Sequence, residues 1–196
     1  MFLLSAFYIE DSFRQLREEA IRIGEETGVL CPLKVLPMHI SIRKSVDLGS
    51  NSMDDVVRAI CDYYSSVEPF SVDVEGFELG EGIIWLRMKE NAKLREIHNH
   101  MVDMMQSRFS IEPHELDSVF IFHSTVFMDS RADLKPAFER ISEIPLPKTI
   151  RIRNFMIGTS ENGIPETYRI YKHYRLGPDV SVGDRWEDLV SGRDNS

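Results

Sequence analysis

The chain predicts an α+β fold of two similar lobes, helix–strand–helix–strand–strand twice over, related by a pseudo-twofold about a central cleft. Three observations predict it. Helical and strand periodicities alternate along the chain. The element order running from Ser12 to Met88 recurs from Asn91 to Leu176, with little residue identity between the copies. Two short apolar runs, Met38 to Arg43 and Phe122 to Phe127, each carry a histidine followed two residues later by a hydroxyl. The histidines stand 84 positions apart (123 − 39), close to the offset of the two units. Lobes of roughly 1–90 and 91–176, so packed, would set His39 opposite His123 across the cleft.

The elements follow in order. Met1 to Ile9 is apolar without a basic leader and runs into Glu10 and Asp11, so it reads as a buried first strand rather than a signal peptide. Ser12 and Gln15 have the spacing of a capping box. Phe13, Leu16, Ala20 and Ile23 then recur at helical spacing up to Gly28. Pro32 and Pro37 bracket a loop before the His39 strand. After the turn Gly49 to Ser52, Met53, Val56, Val57, Ile60, Tyr64 and Val67 mark a second helix, closed by Pro69. Phe70, Val72 and Val74 alternate with polar residues, and Gly76 suggests a bulge in that strand. Gly80-Glu81-Gly82 turns into the strand Ile83 to Leu86. Leu94, Ile97, Met101, Met104, Met105 and Phe109 stripe a long helix. Pro113 to Asp117 is a loop leading into the His123 strand. A short helix from Asp129 or Ser130 carries Leu134, Phe138 and Ile141. Thr149 to Gly158 is a strand, Asn162-Gly163 with Pro165 a loop, and Glu166 to Leu176 the return strand. Residues 177–196 form an acidic tail of five acids and two arginines.

Composition bounds the function. At 196 residues, 42% hydrophobic and 28% charged, this is one soluble-type domain with a sizeable core. No apolar run approaches the ~20 residues that span a bilayer, so no membrane partner is expected. Two cysteines make no disulfide framework, which points to a reducing, cytoplasmic setting. The formal charge of −9 disfavours long duplex nucleic acid, which is met with a basic face. A small nucleotide or one RNA end in a local pocket is the expected partner.

On a strand, side chains alternate faces, so His39, Ser41 and Arg43 share one side and His123 and Thr125 another. An imidazole beside a hydroxyl suits proton transfer beside an anion-binding donor, and two copies supply a base and an acid. Either motif alone reads as a structural histidine in a strand. Arg43 is a candidate phosphate ligand or a surface strand end. His98 and His100 point in different directions on their helix and read as solvated. In the last strand Arg169, Tyr171, His173 and Arg175 share a face. With Arg151 and Arg153 on a partner strand they could contact a base or RNA, or guard an exposed edge.

The two motifs, His39-Ile40-Ser41-Ile42 and His123-Ser124-Thr125-Val126, resemble those of the two-histidine phosphoesterase superfamily, which includes 2′-5′ RNA ligase-like proteins and RNA 2′,3′-cyclic phosphodiesterases. The resemblance covers about residues 1–176, and Ser124 departs from it, standing where members carry an apolar residue. It implies hydrolysis of a 2′,3′-cyclic phosphate or 2′-5′ linkage without metal or other cofactor. His39 and His123 would be general base and acid, in an order the sequence leaves open, and Ser41 and Thr125 would bind the phosphate. The roles reverse for ligation. Two alternatives stand beside this reading: a non-catalytic module of the same fold that holds a nucleotide or RNA end, and an unrelated structural or interaction domain.

Overall fold

A computed structural model of the chain, described for residues 1–164 and 167–177, contains two antiparallel sheets flanked by helices. In chain order the elements are β1 (Phe2–Tyr8), α1 (Arg14–Thr27), β2 (His39–Ser41), β3 (Val46–Asp47), α2 (Met53–Tyr64), β4 (Phe70–Gly80), β5 (Ile83–Met88), α3 (Ala92–Phe109), β6 (His123–Met128), α4 (Lys135–Ile141), β7 (Thr149–Ile152), β8 (Asn154–Ser160) and β9 (Arg169–Arg175). The first sheet runs β2-β1-β8-β9, with β3 also paired to β1, and the second runs β6-β5-β4-β7. This is the two-lobed α+β fold, with one histidine strand at the edge of each sheet. Each sheet draws strands from both halves of the chain. The expected strand from Thr149 to Gly158 is in fact two, β7 closing the second sheet and β8 entering the first, with the change of sheet at Arg153.

Burial explains the layering. The strands β1 and β8 are apolar on both faces. Leu3, Phe7, Phe155 and Ile157 join the main core, where the Tyr64 ring of α2 packs on Phe7 and Phe155. On the opposite face Leu4, Ala6, Tyr8, Met156 and Tyr168 form a second, smaller cluster with Leu36. Helices α1 and α4 pack on each other and against β6 and β4 of the second sheet. Gly24 lets α1 approach: a Cβ there would stand 3.0 Å from the Val29 carbonyl and from Cys31 Cβ, and 3.4 Å from Phe127 of β6. Among the described residues no helix is long and apolar enough to cross a membrane.

Several local expectations hold. Gly28 caps α1 in the left-handed region at φ 73°, and a register shift falls between Val74 and Gly76. Others do not. Ser12 does not cap α1: it sits in a 3-10 turn, Glu10–Ser12, and the helix starts at Arg14 behind Phe13 with no side-chain cap. The competing use of that segment is Glu10, whose buried carboxylate accepts the Met38 amide at 2.7 Å and meets Arg17 at 3.4 Å. The last short helix begins at Lys135 rather than near Asp129, because Asp129 Oδ1 accepts the amides of Arg131 and Ala132 and holds a turn. Of the expected acidic tail, only Gly177 lies within the described residues.

Candidate active site

The strands β2 and β6 lie side by side where the two sheets meet, and the Ser124 hydroxyl bridges the seam. The His39 amide donates to Ser124 Oγ at 3.3 Å, and that hydroxyl reaches Met38 Sδ at 3.9 Å. Ser124 is wholly buried. A hydroxyl placed inside an apolar strand needs a partner, and its partner is the backbone of the other histidine. That requirement is the sequence signal for a positioning role, though the sequence does not name the partner.

Both imidazoles are anchored in the same way. His39 Nδ1 lies 2.8 Å from the Pro37 carbonyl, and His123 Nδ1 lies 2.8 Å from the Ile121 carbonyl, each two residues upstream. A carbonyl can only accept, so Nδ1 carries the proton in both rings and Nε2 of the neutral form is the basic nitrogen. Burial pushes the pKa of each histidine below its usual value, and the anchoring carbonyl opposes this. Positive charge on His123 lowers His39 further. A proton on His123 therefore disfavours one on His39. Arg87 lowers His123 and Glu78 raises it. Arg87 itself pairs with Glu78 and with Glu75.

Register places the rest of the site. Ser41 pairs with Ala6 and His39 with Tyr8, so both motif residues face the side that carries the smaller apolar cluster. In the second sheet Thr125 pairs with Trp85 and His123 with Arg87. Ser41 and Thr125 are partly exposed, and among the described residues neither hydroxyl has a hydrogen-bond partner. The indole of Trp85 stacks on His123 with ring centroids 4.8 Å apart and planes at 28°. In the sequence Trp85 is legible only as a strand residue. Its alternation with Ile84 and Leu86 gives its face, but its neighbour is set by which strand pairs with β5. Among the described residues no ring stacks on His39.

Three expectations need correction. Arg43 does not share the face of His39 and Ser41: β2 ends at Ser41, and the chain bends so that the Arg43 guanidinium is buried against Asp117, with Nη2–Oδ2 at 2.8 Å. His98 is not solvated. It is 1% exposed, its Nδ1 lies 2.6 Å from the Ile42 carbonyl and its Nε2 3.0 Å from the Asp117 carbonyl, so it ties α3 to the end of β2. In β9 the expected common face of Arg169, Tyr171, His173 and Arg175 is split, because the register with β8 shifts between Ile157 and Gly158. Tyr171 is the extra residue. His173 and Arg175, paired with Met156 and Asn154, stay on the His39 side, while Arg169, paired with Thr159, turns to the other. Tyr171 is 42% exposed under the Lys172 ammonium. His173 is buried edge-on to Tyr8 at 4.8 Å, and among the described residues neither ring nitrogen has a hydrogen-bond partner.

No protein-family model and no curated protein sequence matches the chain. Solved structures do match its fold. TT0787 of Thermus thermophilus superposes with a TM-score of 0.59 at 15% identity, over 91% of this chain and 100% of that one. LigT of E. coli, in its complex with 3′-AMP, gives 0.57 at 14% identity over 89% and 97%. A protein described as a phosphoesterase gives 0.52 at 16% identity over 89% and 97%. At these identities the likeness is one of fold.

Proposed function

We propose that the chain is a two-histidine phosphodiesterase that opens a 2′,3′-cyclic phosphate or cleaves a 2′-5′ linkage on a nucleotide or RNA end, with His39 and His123 as the proton-transfer pair and no metal in the chemistry. The observation that carries it is the doubled anchor: two histidines on adjoining edge strands, each fixed through Nδ1 to the carbonyl two residues back, each sharing its strand face with a hydroxyl that has no hydrogen-bond partner among the described residues. Nucleotide-sized ligands fit the same reading, since structures of E. coli LigT hold 3′-AMP, ATP, NADP+ and phosphate.

The differing environments support one assignment of the roles. An aromatic face stabilises a cation above it, and Trp85 lies under His123 alone. His123 is the acid that delivers a proton to the departing ribose oxygen, and His39 is the base that takes one from water. Ser41 and Thr125 donate to the non-bridging oxygens as charge builds on them.

The test is hydrolysis of a panel of 2′,3′-cyclic nucleotides and 2′-5′ dinucleotides. His39→Ala and His123→Ala each lower kcat by about 100-fold or more. The double variant is little worse than the poorer single one, because groups acting as a unit are non-additive. Activity persists in EDTA. The kcat/KM profile is bell-shaped, with apparent limits belonging to the pair. Both histidines are displaced below 6.5, so its maximum lies on the acid side of neutrality. Turnover that vanishes with chelator and returns with a divalent ion overturns the mechanism.

A further inference from the structure

The first sheet continues past the histidine pair into a basic groove. Two adjoining hollows, of about 550 Å³ and about 230 Å³, share Asp11, Arg151, Arg153 and Asn154 in their walls. The larger reaches Arg175 and the smaller reaches Tyr8. Register connects them to the site, because His39, Tyr8, Asn154 and Arg175 form one row across β2, β1, β8 and β9. Directly paired residues on neighbouring strands face the same way. At ~4.8 Å per strand, Asn154 stands roughly 10 Å and Arg175 roughly 14 Å from His39.

The arginines here are unlike most others in the chain. Arg22, Arg87, Arg95 and Arg140 are committed to ion pairs. Among the described residues Arg151, Arg153 and Arg175 are exposed, and none of the three uses its guanidinium in an ion pair or hydrogen bond. Two carboxylates, Asp11 and Glu68, also line the groove, and among the described residues neither forms an ion pair with these arginines. In a chain of net charge −9, three guanidinium forks left open along one groove suit an anion held by direct contact rather than drawn by long-range field.

We infer that this groove is a second phosphate subsite, in which Arg151, Arg153 and Arg175 hold a phosphate of the substrate other than the one being opened. The subsite rests on the function proposed above, and it makes the substrate class a 2′,3′-cyclic nucleotide bearing a further phosphate on its 5′ side. That phosphate is either a terminal 5′-phosphate or the internucleotide phosphodiester of an RNA oligomer.

The experiment compares kcat/KM for a nucleoside 2′,3′-cyclic phosphate, its 5′-phosphorylated form and a trinucleotide ending in the cyclic phosphate. The expected result is a preference of roughly tenfold or more for a substrate with the second phosphate, falling with salt. In Arg151→Gln/Arg153→Gln/Arg175→Gln the ratio collapses toward one. A gain for the 5′-phosphorylated mononucleotide assigns the subsite to a terminal phosphate, and a gain for the trinucleotide alone assigns it to the phosphodiester. Equal ratios in native and triple-variant protein overturn the subsite. If no substrate is turned over, the function proposed above fails and binding decides the groove. Fluorescently labelled trinucleotide 3′-phosphate binding at least tenfold more weakly to the triple variant supports it, and equal affinity overturns it.

Discussion

Ser124→Ala is the sharpest probe of how the two lobes are held in register. The substitution removes the one side-chain acceptor that the His39 amide has across the seam. Ser124 is wholly buried, so no water replaces its hydroxyl and the amide is left unpaired. An unsatisfied buried donor costs ~1–3 kcal/mol. The bond of 3.3 Å is longer than the usual 2.9–3.0 Å, which puts the cost in the lower half, about 1–2 kcal/mol. For a chain of this size that is a fall of about 2–8 °C in Tm. The larger effect is on chemistry. With its amide released, His39 loses a constraint on its own backbone, while the Pro37 carbonyl still fixes its ring. A displacement of the order of 1 Å at a reacting group costs up to about 100-fold. The expected outcome is kcat reduced roughly 10–100-fold with KM little changed, because the substitution leaves Ser41 and Thr125, the proposed phosphate ligands, untouched. Differential scanning calorimetry and steady-state kinetics on a 2′,3′-cyclic nucleotide read both quantities. Unchanged Tm together with unchanged kcat would refute the reasoning and make Ser124 a passive strand residue.

Two further outcomes follow from buried groups. Neither ring nitrogen of His173 has a partner among the described residues, and burial, with the Arg175 charge, pushes its pKa down to about 4. The folded state therefore resists a proton that the unfolded chain accepts. The contribution is intact above about pH 6.5 and is lost as pH falls toward 4, amounting to about 3 kcal/mol. Urea unfolding at about pH 7 and pH 4 should show that much less acid destabilisation in His173→Leu, and parallel pH dependences would sink the assignment. Arg43→Met leaves Asp117 buried without its cation, and losing one partner of a buried pair costs about 3–5 kcal/mol. Adding Asp117→Leu should restore most of it. Intact stability with a raised KM would instead return Arg43 to the phosphate site.

The sequence alone determined what local periodicity encodes. Alternation along β2 and β6 puts His39 with Ser41 and His123 with Thr125, and a period of two is a property of the strand itself. The stop at Gly28 and the bulge at Gly76 were equally local, since each follows from what a glycine backbone permits. Only the tertiary structure decided which strands are neighbours. Arg43 and Asp117 are 74 positions apart, and no local pattern marks a guanidinium that will be carried inward by a bend after Ser41. The face of Arg169 and Tyr171 was unreadable for a related reason: an extra residue in β9 exists only relative to the register of β8, and a slip of one residue reverses every face beyond it. The seam at Ser124, the stack of Trp85 on His123 and the row from His39 to Arg175 belong to the same class. Each is a contact between segments whose pairing is set by burying two sheets' worth of apolar surface at once, a global condition that names no partner at any single position.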